Sequence, residues 1–169
     1  MSPPFVEALL DGRREEAAGL AGIELPDGWP AEDDLGFLGL RLRQMREDPA
    51  VQEWLVRAVT LRRAGRPMVG HAGFHGPPGT NATGRADAVE LGYTVFPDHR
   101  GRGYATEVAE ALMDWATTEH DIRRFIASVA PENAPSLAIV HKLGFEQTGE
   151  QWDELDGLEL VFELERVEV

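Results

Sequence analysis

The chain has 169 residues, 43% of them hydrophobic, a formal net charge of −14 and no cysteine. That length suits one domain, residues 1–169, with a sizeable core, and the missing Cys excludes disulfides, thiol catalysis and Cys-ligated zinc. The acidic balance argues against nucleic-acid binding, which needs a basic face, and no apolar run reaches the ~20 residues that span a membrane.

No basic start followed by an apolar core marks a signal peptide, so the expected location is cytoplasmic. The acidic charge is compatible with attraction of a cationic amine and equally with plain solubility. Residues 4–21 carry Phe5, Val6, Leu9, Leu10, Ala17, Ala18 and Leu20, interrupted near Asp11-Gly12. This predicts two short helices. Pro26 to Pro30 is a turn-rich loop, in which Trp29 is read as a packing residue rather than an acceptor contact. Ala31 to Arg46 predicts a helix, with Leu35, Leu38, Leu42 and Met45 at helical spacing and Glu32, Asp33 and Asp34 near its start.

Val51 to Arg63 and Met68 to His75 predict two strands around the hairpin signal Ala64-Gly65-Arg66-Pro67. His71 and His75 fall on one face of the second strand. Two His without further ligands read as ordinary sheet residues rather than a metal site, and no metal is expected. Gly76 to Ala86 is rich in Gly, Pro, Thr and Asn and predicts a mobile loop. The sequon Asn81-Ala82-Thr83 within it reads as a chance match.

The unit that organises the chain follows. Val89, Leu91, Tyr93 and Val95 alternate with Glu90, Gly92, Thr94 and Phe96, the period of a strand. Pro97 cannot donate to a ladder, so the strand stops there. After Gly103, the residues Ala105, Val108, Ala109, Leu112, Trp115 and Ala116 recur as on one helix face. In the loop between, Gly101 and Gly103 can take positive φ and carry no side chain to block a ligand. The helix start leaves backbone N–H groups unpaired where the dipole favours negative charge, and Arg100 and Arg102 add cationic donors. Such a loop suits a phosphate or pyrophosphate. The competing reading is a Gly-rich connection with two solvated arginines.

Arg124 to Val129 predicts the next strand, parallel to the last, through a right-handed crossover. Ala134 to Leu143 predicts a short helix capped by Asn133 and stopped at Gly144. Glu146 to Trp152 and Gly157 to Glu165 predict two final strands joined through Glu154-Leu155-Asp156-Gly157. With no repeat or linker dividing the chain, the fold class is α/β (α+β), a mixed, strongly twisted sheet flanked by helices.

Arg100-Gly101-Arg102-Gly103-Tyr104-Ala105 resembles the acetyl-coenzyme A pyrophosphate loop of the GNAT superfamily of N-acetyltransferases, whose pattern is Gln/Arg-x-x-Gly-x-Gly/Ala. Asn133-Ala134-Pro135-Ser136 followed by Lys142-Leu143-Gly144-Phe145 is similar to the second signature of that family, at a fitting separation. The resemblance runs from Val69 to the C-terminus and is nearest the branch that acetylates ribosomal-protein N-termini. It implies a GNAT-like fold and transfer of an acetyl group from acetyl-coenzyme A to a primary amine, a protein N-terminus or a small molecule, by direct attack. A homodimer is compatible with it.

The resemblance also implies site residues. The amides of Val95 and Phe96 would hold the pantetheine arm and polarise the thioester carbonyl. Residues Arg100, Gly101, Arg102, Gly103, Tyr104 and Ala105 would hold the pyrophosphate, and Asn133 and Ser136 would contact the coenzyme, alongside helix-capping roles. Glu90 is the candidate general base, acting through water on an amine that must be neutral to attack; a solvated strand Glu is the equal alternative. The chain departs from the family in two places. Pro3-Pro4 leads straight into helix where relatives open with a strand, and Val140 stands where many relatives carry a proton-donating Tyr. Ser136, a water or the amine itself must then protonate the thiolate. A rival reading is a domain of the same fold that binds coenzyme A or a nucleotide and senses rather than catalyses. A phosphate-binding fold unrelated to acetyl transfer would require the Asn133…Phe145 match to be coincidence.

Overall fold

The computed structural model describes residues 1–153 and 157–166. It opens on helices α1 (Pro3–Leu10), α2 (Arg14–Ala21) and α3 (Glu32–Glu47). Pro3 sits where its missing N–H leaves no bond unmade. At the start of α3 the Asp34 carboxylate accepts from the Ala31 N–H at 2.8 Å, capping the helix from inside its first turn. The chain then reaches its first strand only at β1 (Arg57–Thr60), as expected from a helical start.

The expected strand over Val51 to Arg63 is shorter than its alternation suggests. Pro49–Glu53 form a 3-10 turn, nucleated by Asp48, whose side chain accepts from the Ala50 N–H at 3.0 Å. Trp54 and Leu55 then anchor in two different cores, which mimics a strand's alternation without a ladder.

Strands β2 (Met68–Phe74) and β3 (Ala88–Val95) follow, then α4 (Tyr104–His120), β4 (Arg124–Val129), α5 (Ala134–Lys142), β5 (Glu146–Asp153) and β6 (Gly157–Glu165). The turn expected over Glu154-Leu155-Asp156 lies outside the described residues. The six strands form one mixed sheet in the order β1-β2-β3-β4-β6-β5. Only β3 and β4 run parallel, as the α4 crossover requires.

Each face of the sheet buries its own core. Phe74, Val89, Leu91, Phe125, Ala127 and Phe162 meet Leu112, Met113 and Ala116 of α4 and Val140 of α5. On the other face Leu55 and Met68 pack with Phe5, Leu9, Leu38, Leu42 and Met45 from α1 and α3. Each such large side chain contributes about 1.5–3 kcal/mol by leaving water. Trp29 is buried here against Phe96, ring centroids 5.8 Å apart, a packing residue as read from the sequence.

The β3–β4 pair opens part-way along its length. Pairing covers Ala88–Glu90 against Arg124–Ile126 and ends there, while β3 continues to Val95 and β4 to Val129. The sheet is thus split at its centre, and the unpaired edge of β3 faces the gap.

Candidate active site

Backbone accounting along β3 fixes which groups face that gap. His75 N–H donates to Glu90 O and Phe96 N–H to Val69 O, both at 2.9 Å. In an antiparallel ladder such bonds alternate, so even-numbered residues of β3 point their amides at β2. Those of Leu91, Tyr93 and Val95 point into the split. This corrects one expectation: the Phe96 amide is already paired within the sheet and is not free for a ligand. The Val95 N–H faces the split, and its carbonyl accepts from Arg100 Nε at 3.0 Å.

The loop after β3 carries the free donors. Gly101 and Gly103 have φ of 71° and 82°, and a Cβ at either would meet nothing within 4 Å. Only glycine takes this backbone without strain, and the space beside it is open. Glu107 N–H is the first in α4 to find a partner, Gly103 O at 3.0 Å. Among the described residues, the N–H groups of residues 101–106, including Arg102, Tyr104 and Ala105, have no hydrogen-bond partner in the chain. These unpaired donors stand at the positive end of a 17-residue helix. Arg100 and Arg102 lie exposed beside them. Their side chains reach only the Val95 and Asp98 carbonyls, and neither forms an ion pair among the described residues. The loop has the donor set that a pyrophosphate needs.

On the far side of the split, Asn133 caps α5 by accepting from Ser136 N–H at 3.2 Å. Its structural role is therefore met, and its exposed amide remains available. Ser136 is half-buried. The Tyr93 hydroxyl reaches toward the Ser136 hydroxyl but falls short of hydrogen-bond geometry and is buried without a partner. Burial raises the Tyr93 phenol and the nearby Ser136 partly offsets this, so the phenol stays protonated at neutral pH. Val140, at the position where the family resemblance would put a Tyr, is buried in the core between α4 and the sheet.

Glu90 is not a solvated strand residue. It is 2% exposed. Its carboxylate accepts from the Ser128 hydroxyl and from the Ala82 N–H, each at 2.6 Å. Gln151 extends this chain by donating to Ser128 Oγ at 3.1 Å. The loop over residues 76–86, expected to be mobile, is what covers Glu90. Asn81 ties it down, donating to the Arg85 and Ala88 carbonyls and accepting from Thr83 and Arg85 N–H.

The remaining neighbour of Glu90 is His75, whose Nδ1 lies 3.5 Å from Glu90 Oε1. The imidazole leans over Gly92, where a Cβ would meet His75 Nε2 at 3.4 Å. His75 is partly exposed and lines a cleft of about 430 Å³ with Asp33, Asp34, Phe37 and Arg41 of α3, His71 of β2, and Gly92 and Thr94 of β3. Burial lowers the His71 pKa, opposed by Asp34 and reinforced by Arg41. The cleft adjoins the split, because Tyr93 belongs to the walls of both. A buried carboxylate thus backs an accessible imidazole beside a set of free backbone donors. That arrangement can remove a proton from one partner and hold an anionic second partner.

Sequence reasoning missed His75, Tyr93 and Arg41. A signal existed for His75: it lies on the face of β2 that meets Glu90 once the strands pair in register. No sequence pattern distinguishes Tyr93 from any alternating strand residue.

A family model, "Acetyltransferase (GNAT) domain", matches residues 29–146. The uncharacterized N-acetyltransferase YjdG of Bacillus subtilis (strain 168) is 30% identical over 127 residues, 73% of this chain and 70% of that protein. YnaD, an uncharacterized N-acetyltransferase of the same organism, is 30% identical over 97 residues, 52% of this chain and 54% of that protein. The chain spans little more than half the length of several curated relatives it matches. Among solved structures, the microcin C7 self-immunity acetyltransferase MccE, in complex with acetyl-CoA and AMP, shares the fold. Its TM-score is 0.62 at 16% identity, covering 98% of this chain and 89% of that one.

Proposed function

The chain belongs to the acetyltransferase (GNAT) family, and on that premise we propose that it transfers an acetyl group from acetyl-coenzyme A to a primary amine. The observation that carries this reading is the run of backbone N–H groups over residues 101–106 that are unpaired among the described residues, flanked by the exposed Arg100 and Arg102, at the mouth of the split in the sheet. A pyrophosphate held there directs the rest of a long thiol cofactor into the split, toward the Val95 amide. The acetyl group then arrives as a thioester beside the cleft.

His75 and Glu90 deprotonate the amine. Glu90 is too buried to touch an acceptor, so it serves as a positioning residue. Its carboxylate holds the imidazole through Nδ1 and stabilises the imidazolium formed when Nε2 takes the amine proton. The amine nitrogen bonds to the thioester carbonyl carbon, the carbon–sulfur bond breaks, and the thiolate takes a proton. With Val140 in the core, the Tyr93 phenol and Ser136 hydroxyl are the groups on the α5 side of the split that can donate it. The Val95 N–H, free in the split, stabilises the developing oxyanion.

The sensor reading rests on Val140. The buried Glu90 backing an accessible His75 favours the enzyme, because a sensor has no use for a base at the cleft. Likeness to the ribosomal-protein branch makes a protein N-terminus a second acceptor class beside small amines. Release of free coenzyme A thiol across a panel of amines and peptide N-termini tests the proposal. Turnover above the uncatalysed rate with at least one amine is expected. Coenzyme binding with no turnover on any amine would replace the enzyme with the sensor.

A further inference from the structure

Arg41 raises a question that acetyl transfer alone does not answer. It is a charged side chain in the wall of the acceptor cleft, 8% exposed. Its Nη1 donates to the His75 carbonyl and to Gln44 Oε1, each at 2.9 Å. Its Nε is buried with no partner, and Nη2 has none among the described residues. Among the described residues no carboxylate lies within ion-pair distance of it, although the chain carries 30 acidic residues. The Phe37 ring, 5.0 Å from the guanidinium carbon, covers one face. Burying a guanidinium without a counter-charge is unfavourable. A bound anion would supply the missing charge.

We propose that Arg41 is an anion subsite of the acceptor cleft, and that the acceptor is a small amine carrying a carboxylate close to that amine, as in a free amino acid. The inference rests on the acetyl-transfer reading of the cleft and narrows its substrate class. Nη2–H is the guanidinium donor left without a partner among the described residues and not buried, and such a donor pairs strongly with a carboxylate. Arg41 touches the backbone of His75, the residue whose imidazole receives the amine proton. Anion and amine are therefore held within about one residue of each other. Asp33 and Asp34, both about two turns earlier on the same helix, line the cleft and favour the ammonium form as it enters. His71 lines the same cleft and its pKa is lowered by burial, so it adds no competing cation at neutral pH. A protein N-terminus has no carboxylate at that spacing, which sets the two acceptor classes apart.

The test compares free amino acids with their matched carboxamides on the wild-type protein, at saturating acetyl-coenzyme A. The acids are expected to have kcat/KM at least roughly 10-fold above the amides. Arg41→Met should erase that preference by raising KM for the acids more than for the amides, and Arg41→Lys should restore part of it. Because Arg41 also holds the His75 carbonyl, the wild-type comparison decides the matter if the variants fail to fold. Amides or peptide N-termini used as well as the acids would overturn the subsite. Binding of the same acids and amides to the coenzyme A-loaded protein, followed by calorimetry, separates the two levels of the argument. Preferential binding of acids without turnover contradicts acetyl transfer and keeps the subsite. Turnover without acid preference contradicts the subsite and keeps acetyl transfer.

Discussion

Replacing Glu90 with Gln probes stability and chemistry at once. The carboxylate accepts two hydrogen bonds of 2.6 Å in a site 2% exposed. Gln keeps the shape and one acceptor oxygen. That oxygen can serve the Ala82 N–H, which has no other orientation available. The new amide must then donate to Ser128 Oγ, where Gln151 already donates at 3.1 Å. One charge-assisted bond is lost and one donor is crowded, worth about 2 kcal/mol together. For a chain of this length that lowers Tm by roughly 4–8 °C. His75 simultaneously loses the carboxylate 3.5 Å from its Nδ1. Turnover with a competent amine should fall roughly 100-fold or more at neutral pH, and the deficit should shrink at high pH, where the amine needs no base. Acetyl-coenzyme A affinity should stay near wild type, because Glu90 lies on the cleft side of β3 and away from the loop. Thermal melts, calorimetry and steady-state rates over pH read each effect separately. Wild-type turnover in a folded Glu90→Gln protein would refute the His75–Glu90 assignment.

Two other substitutions test the neighbouring groups. The His71 pKa is lowered by burial, so the unfolded chain binds more protons than the folded one as pH falls toward the folded value. Its stabilising contribution is full above the ordinary imidazole range and is lost on acidification. His71→Gln should therefore flatten the fall in Tm between about pH 7 and pH 5, and parallel wild-type and variant curves would refute this. Tyr93→Phe removes a buried hydroxyl that has no partner, so Tm should hold or rise slightly, while kcat falls roughly 10-fold if the phenol protonates the thiolate. An unchanged kcat leaves that role to Ser136 or solvent.

The strand, loop and helix over residues 88–120 were legible in the sequence because each signal there is local: alternation, Pro97, two glycines, then a helical apolar face. The loop's open donors follow from the same residues. What stayed hidden depends on register and on distant segments. Alternation puts Glu90 on a face of β3 but does not say that Asn81 folds a loop over that face. The Gly- and Pro-rich composition of residues 76–86 signals turns equally for a free loop and for one pinned by a single Asn. The pairing of Phe96 with Val69, which withdraws its amide from the site, depends on which edge of β3 meets β2. Trp54 and Leu55 mimicked a strand because two cores, one on each side of the sheet, draw adjacent residues in opposite directions. The burial of Arg41 is equally invisible, since a polar residue on an amphipathic helix reads as solvent-facing until the sheet packs against it.

The most direct test of the account is a titration of the labelled wild-type protein with acetyl-coenzyme A, followed at the backbone amide resonances, with Gly103→Glu as a folded control. The amides of residues 101–106 and of Val95 should shift with saturable binding, Phe96 should move least among the residues at the end of β3, and Gly103→Glu should abolish the response by placing bulk and negative charge in the cradle. Saturable binding that leaves residues 101–106 unperturbed, or unchanged affinity in a folded Gly103→Glu protein, would contradict the claim that this loop holds the acetyl donor.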